Sequence, residues 1–480
     1  MAEDPSTVVS RWVTMMTEPT PNVRLRAVRE RTLSRNVPGV GMSRDELAAL
    51  VARWCAEHDP KHRSVAFDAT HLSKIERGLV RRPRRHYIAA LCAILGATED
   101  ALGFTDSDVT ASATGTMSSW NRGAVAAAVE RVTGEDLAVT RRQAVGVAAL
   151  TGAALTEPLQ RWLDPLPEIP TPGAGRAHTA PEVDALEALV VQLRGWANAG
   201  NGVLARKAVI GQLAESAERL REVPSGPLTT RAMVATARLA DVAASMSWDA
   251  GAHRAAQKYY ALAVQLAKVA GEGTLAAVVL AALGRQCYDL NRPDDGLEIV
   301  QLAQFGTRRI AAPRLRAMLA TREAWAYAQR GQVQAFHRAV GLAQDHFTEI
   351  AKTEPRQWVD NFDQAELHGV IGARFRDLAL HDPAQARHAQ DHIGRALELR
   401  APSRVRNRVF DLIGLARAAL IARDLEQASA LINQALPLAH RWADGRVGVK
   451  LADFHREAER FATVPAVRDA RDAIHDLITV

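Results

Sequence analysis

The chain has 480 residues, 48% hydrophobic and 24% charged, a balance that excludes a disordered chain and leaves room for about two to four domains. Three scattered cysteines, Cys55, Cys92 and Cys287, exclude a disulfide framework and fit a reducing cytoplasm. The net charge of +6 is uneven: residues 22–86 hold 15 Lys/Arg and 7 Asp/Glu, so that stretch alone carries +8 and suits a polyanionic partner.

Residues 1–21 form an N-terminal extension. They lack the basic start and apolar run of a signal peptide, and no segment has the ~20 apolar residues of a membrane span. Residues 22–104 read as five short helices. In the first, "NVRLRAVRERTLS", Val23, Ala27 and Val28 with Leu25 or Leu33 form the apolar side. The second, "SRDELAALVARWCAEH", opens with Ser43 and Glu46 at capping-box spacing, then carries Leu47, Leu50, Val51 and Trp54 as a stripe. Asp68 caps the third helix and Gly78 closes it. Leu72 and Ile75 anchor its inner face, leaving Ala69, Thr70, Ser73, Lys74 and Arg77 on the other sides. The fourth begins near Pro83, with Ile88, Leu91, Cys92 and Leu95 in the core. "TEDALGF" supplies a last turn closed by Leu102 and Phe104.

The string "HLSKIERG", followed by a basic Pro-containing turn and a helix ending in "LG", resembles the phage-repressor or Xre-type helix-turn-helix family over about 80 residues. The resemblance implies that the third helix enters the major groove of double-stranded operator DNA. Ala69, Thr70, Ser73 and Lys74 would then face base edges, and Ser43 and Arg44 a phosphate. Leu72, Ile75 and Glu76 would be structural. Arg77 joins the DNA-binding set, and the block Arg81, Arg82, Arg84 and Arg85 would grip phosphates, which sets affinity and salt dependence rather than sequence choice. The stretch "WCAEHDPKHRSVAF", residues 54–67, departs from the family's tight turn and leaves the angle between the two central helices open.

Residues 105–121 and 164–182 have linker compositions and flank a helical connector at 122–163. Within the connector, "RRQAVGVAALTGAAL" reads as a buried Ala-rich helix.

Residues 183–480 show no strand periodicity and favour helix throughout. A small–x3–apolar–x2–small pattern recurs from positions 256, 296, 336, 389, 428 and 466, one step being lengthened by an insertion around 351–363. Small residues lie 12 positions before several copies, at Ala244, Gly284, Ala324 and Ala416, where two helices can approach closely. This pattern resembles the tetratricopeptide repeat, with six or seven helix pairs. The fold expected is all-α: a five-helix helix-turn-helix domain, then a tetratricopeptide-like α-solenoid.

No phosphate-loop, HExxH or GxSxG motif occurs, and "GEGTLA" at 271–276 lacks the preceding strand that a dinucleotide loop needs. His388 and His392 lie one helical turn apart without a third ligand, so no metal, cofactor or enzymatic activity is expected. The order of modules is similar to that of peptide-responsive quorum-sensing regulators. It implies a homodimer sensing a peptide or small-molecule effector, with Arg285, Tyr288, Trp325 and Gln329 on the ligand-facing helices. The alternative is a protein-interaction scaffold with a basic docking domain and no small ligand.

Overall fold

The computed structural model describes residues 22–34, 36, 40–58, 67–77, 79–80, 83–97, 102, 120–138, 147–166, 176–199, 202–351, 357–359, 361–443 and 445–479. The chain divides into two compact units, Met1–Ser112 and Ala113–Val480. Both are all-α: apart from an isolated bridge between Leu33 and Gly41, no strand occurs among the described residues.

The first unit contains α1 (Val23–Arg31), α2 (Arg44–His58), α3 (Ala69–Glu76) and α4 (Arg85–Leu95). The fifth expected helix falls largely outside the described residues, although Leu102 is fully buried. The core gathers Leu25, Leu47, Val51, Leu72, Ile75 and Leu91. On α2 the innermost stripe is Leu47, Ala48, Val51 and Cys55, with Leu50 and Trp54 flanking it. Leu33 is 66% exposed and does not join the apolar side of α1; the buried partner of Leu25 one turn on is Arg29.

The second unit runs through α5 (Arg122–Ala138), α6 (Ala153–Gln160), α7 (Ala180–Asn198), α8 (Gly202–Glu222), α9 (Pro227–Asp249), α10 (His253–Val269), α11 (Gly273–Asp289), α12 (Pro293–Thr307), α13 (Pro313–Gln329) and α14 (Val333–Thr348). It continues through α15 (Gln364–Ala379), α16 (Ala386–Leu399), α17 (Val405–Ile421), α18 (Leu425–Ala439), α19 (Arg446–Glu457) and α20 (Pro465–Thr479). From α9 to α18 consecutive helices pack as hairpins, and from α11 onward first helices also touch the first helix of the next hairpin.

The small residues make these approaches possible. Ala256, Ala263, Ala303, Ala343, Ala389, Ala396, Ala428 and Ala435 are fully buried. A Cβ on Gly284 would lie 3.0 Å from Val300 and 3.3 Å from the Gly296 carbonyl. The last copy is out of register: Ala466 is exposed, and Val467, Ala470 and Ile474 form the buried stripe of α20.

One turn recurs between helices. Gly251, Gly271, Asn291, Gly331 and Arg423 all take a positive φ. The next residue's N–H then bonds five positions back, as from Glu272 to Ala267 at 2.8 Å and from Asp424 to Ala419 at 2.9 Å. This satisfies a carbonyl that the helix end would otherwise orphan.

Residues of the connector share the core of this unit. Asp136 of α5 binds Arg206 at 2.5 Å and the Tyr259 hydroxyl at 2.7 Å, and Trp162 packs against Gly306. Residues 147–152 are not helical, contrary to the expectation for 141–155; residues 141–146 lie outside the described set. Gly152 turns at φ +58°, and the Gln257 side-chain amide takes both the N–H and the carbonyl of Leu150, at 2.7 and 3.0 Å. A fixed side-chain partner thus replaces helical bonding.

The ends of the repeat array meet. Asp249, ending α9, pairs with Arg406 of α17 and Arg446 of α19, at 2.8 and 2.5 Å. Lys450 of α19 reaches Asp289 of α11 at 3.1 Å, and the Trp442 indole donates to the Asn198 carbonyl at 3.2 Å. The first helices of the hairpins therefore face a shared interior.

Candidate nucleic-acid interface

Helix α3 is eight residues long and held from both ends. The Asp68 carboxylate accepts the His71 N–H at 2.7 Å, a side-chain N-cap. Leu72 and Ile75 are sealed in the core, and Phe67, His71 and Tyr87 pack their rings together beside it. Gly78 lies outside the described residues; Arg77 is the C-cap.

Glu76 fixes the helix against the rest of the unit. Its carboxylate, 2% exposed, accepts from Arg29 Nε at 2.6 Å and from Arg44 Nε at 2.7 Å. Arg29 also donates to the Met42 carbonyl at 2.8 Å. One carboxylate thus ties α3 to α1 and to the start of α2. The contacts pair guanidiniums with a carboxylate, so they are charge-assisted and roughly twice as strong as neutral ones.

The outer face then falls into place. Thr70, Lys74 and Arg77 are exposed, and Ala69 and Ser73 are partly so. Ala69, Thr70 and Ser73 border an open cleft of about 620 Å³ together with Arg26, Arg29 and Arg44. The Arg44 guanidinium is engaged by Glu76, with 40% of the side chain still exposed at the cleft. Ser43 caps α2 by accepting the Glu46 N–H at 3.1 Å, while the Glu46 carboxylate accepts from the Ser34 hydroxyl at 2.6 Å.

Arg84 is exposed at the N-cap of α4, and Arg85 begins that helix. Arg81, Arg82 and the 59–66 stretch lie outside the described residues, as does the side chain of Arg85. Sequence reasoning missed Arg26 and Arg29. The signal available for Arg29 was Glu76 itself, since a carboxylate among core residues requires a buried cation. Arg26 is exposed at the cleft and pairs with Glu30 at 2.8 Å, which raises its own pKa and lowers that of Glu30.

In the second unit, Tyr288, Trp325 and Gln329 come together. The two rings lie 5.0 Å apart, and Gln329 donates to the Tyr288 carbonyl at 2.9 Å. Tyr288 is 1% exposed and packs against Gly296, so it is chiefly a hairpin-core residue. Arg285 sits partly buried one step away on α11. His392 bonds His368 at 3.1 Å, and no group of three or more metal-ligating side chains occurs among the described residues. Nor is any described helix long and apolar enough to cross a membrane.

No curated protein and no solved structure matches the chain. The family model of the helix-turn-helix domain matches residues 23–103, the helices just described, and this supports a DNA-binding regulator.

Proposed function

We propose that the chain is a sequence-specific transcription regulator that lays α3 in the major groove of operator DNA. The observation that carries this reading is the division of α3 into two faces. Leu72, Ile75 and Glu76 are locked inward, while Thr70, Ser73, Lys74 and Arg77 stand outward beside a cleft that Arg26, Arg29 and Arg44 share with Glu30 and Asp45. A short helix held this way can present side chains to base edges without paying for their order at each encounter.

Thr70, Ser73 and Lys74, with Ala69 against a thymine methyl, would read bases. Ser43, Arg44 and Arg77 would border the backbone. Arg84, with Arg81, Arg82 and Arg85, would hold phosphates. A homodimer fits this role, because one such domain reads few base pairs and two half-sites restore specificity.

The second unit's hairpins, with small residues at each close approach, favour a tetratricopeptide-like solenoid that dimerises the chain and senses a peptide or small molecule. Selection from a random duplex library with purified protein tests the DNA reading. The expected result is a half-site repeated one or more turns of ~10–10.5 base pairs away. Enrichment of no motif at moderate salt contradicts it and favours the scaffold.

A further inference from the structure

Three consecutive first helices of the solenoid each bring an arginine to the interior: Arg285 on α11, Arg322 on α13 and Arg374 on α15. Arg322 and Arg374 are 5% and 7% exposed, and Arg285 is partly buried. Each keeps its Nε sealed from solvent without a hydrogen-bond partner. Arg285 and Arg322 form no ion pair with any described residue.

The nearby carboxylates are already taken. Glu366 accepts from Arg400 at 3.0 Å and Asn407 at 3.1 Å, and Asp289 holds Lys450 at 3.1 Å. Asp377 is bound by Arg376 and lies 3.4 Å from Arg374, too poorly aligned for a hydrogen bond.

Arg285 faces the Trp248 ring at 5.7 Å, but that contact supplies no full counter-charge, which an anion would. Burial, with the neighbouring guanidiniums adding repulsion, pushes Arg322 down to about 9; burial does the same to Arg374, partly offset by Asp377. Arginine does not shed its proton in proteins, so such a field is relieved by counter-charge rather than by titration. The surroundings supply donors as well: the Trp325 indole N–H and the Tyr288 hydroxyl are buried and unpartnered, and the Arg374 guanidinium lies 3.2 Å from the centre of the Trp325 ring.

We propose that Arg285, Arg322 and Arg374 form a receptor for a small dianion, a phosphate monoester or a dicarboxylate, that binds inside the second unit. As a signal site it rests on the sensor reading above; as an anion site it stands apart from it. Planar forked guanidiniums match both oxyanion types, and two negative charges offset most of the positive charge of the three arginines.

The test uses the full chain with phenyl phosphate, succinate and sodium chloride at matched ionic strength. Melting temperature and tryptophan fluorescence are read together. The expected result is a saturable rise in melting temperature and a fluorescence change with one of the two dianions, beyond that with chloride. Which dianion gives it identifies the ligand class.

Arg322→Met should weaken that binding at least ~tenfold, as loss of a charge-assisted contact does. It should also leave the ligand-free melting temperature unchanged or raised, because an unpaired buried charge has been removed. Should that variant fold poorly, Arg285→Met, at the more exposed position, reads the same loss. The proposal is overturned if neither dianion gives a saturable response, or if either folded variant binds as tightly as the parent. Operator affinity measured in parallel separates the two readings. Binding without a change in operator affinity keeps the anion site and removes the sensor role. Failure of the anion site leaves the DNA-binding reading standing.

Discussion

Glu76, the last residue of α3, and Arg29, inside α1, meet at 2.6 Å, with both side chains almost wholly removed from solvent. The contact orients the helix proposed to read DNA, and it gives each charge its most buried partner, with Arg44 completing the Glu76 carboxylate. Glu76→Ala should therefore destabilise the first unit by up to ~3–5 kcal/mol, because it leaves the buried Arg29 with only the half-exposed Glu30, 3.3 Å away, as counter-charge. Hydrogen exchange of the α1 and α3 amides in the full chain measures this. The pair Arg29→Met with Glu76→Leu should recover most of the loss; protection as poor as in the single variant would show that the charges themselves are required.

Gly296 marks how closely α11 and α12 approach. A Cβ there would fall 2.3 Å from the Tyr288 ring. Gly296→Ala should cost ~1–3 kcal/mol through overpacking. Urea denaturation followed by tryptophan fluorescence reads the change, and Tyr288→Leu in the same chain should return part of it.

Asp249 joins the two ends of the repeat array. Burial works to raise its pKa, but Arg446 and Arg406 together hold it below the usual carboxylate value. Asp249→Ala strands two mostly buried guanidiniums and should cost ~3–5 kcal/mol. The loss should concentrate in α19 and α20, so limited proteolysis should first cut the chain near 444–465. Equal protection there before and after the substitution would contradict a closing role.

The α15–α16 hairpin carries a built-in acid sensitivity. Burial pushes His392 down to about 4, with His368 and His388 adding repulsion against the opposing Asp391; burial also lowers His368, with Arg395 adding repulsion. An unfolded histidine titrates near ~6.5, so between that pH and about 4 the unfolded chain binds more protons. Stability is complete above that window and falls as pH drops through it. Melting temperature against pH should show this fall, and His392→Phe, whose ring can stack on Phe375 as the imidazole does, should flatten it.

Much of this was legible in the sequence because the signals are local. Asp68 three residues before His71 announced a cap, and Leu72 and Ile75 announced the buried side of α3. The recurring small residues marked where helices touch, since only a missing side chain permits that approach. What was not legible depends on distant partners. Arg29, Arg44 and Glu76 are far apart in the chain, and Arg446 lies 197 residues from Asp249. A charge on a helix reads as solvated unless its partner is known, which hid Arg322 and Arg374. Residues 147–152 misled for the same reason: their composition favours helix, but Gln257, 107 residues from Leu150, supplies competing bonds.

The central claim is that α3 reads bases while the arginines near α4 hold phosphates, and Lys74→Ala against Arg84→Ala tests it most directly. Both would be titrated with the selected operator and with unrelated duplex DNA over a range of salt. Lys74→Ala should lose ~1–3 kcal/mol on the operator and little on unrelated DNA. Arg84→Ala should weaken both alike and reduce the salt slope by ~1. Equal loss on both duplexes for Lys74→Ala, or no loss on either, would contradict the account.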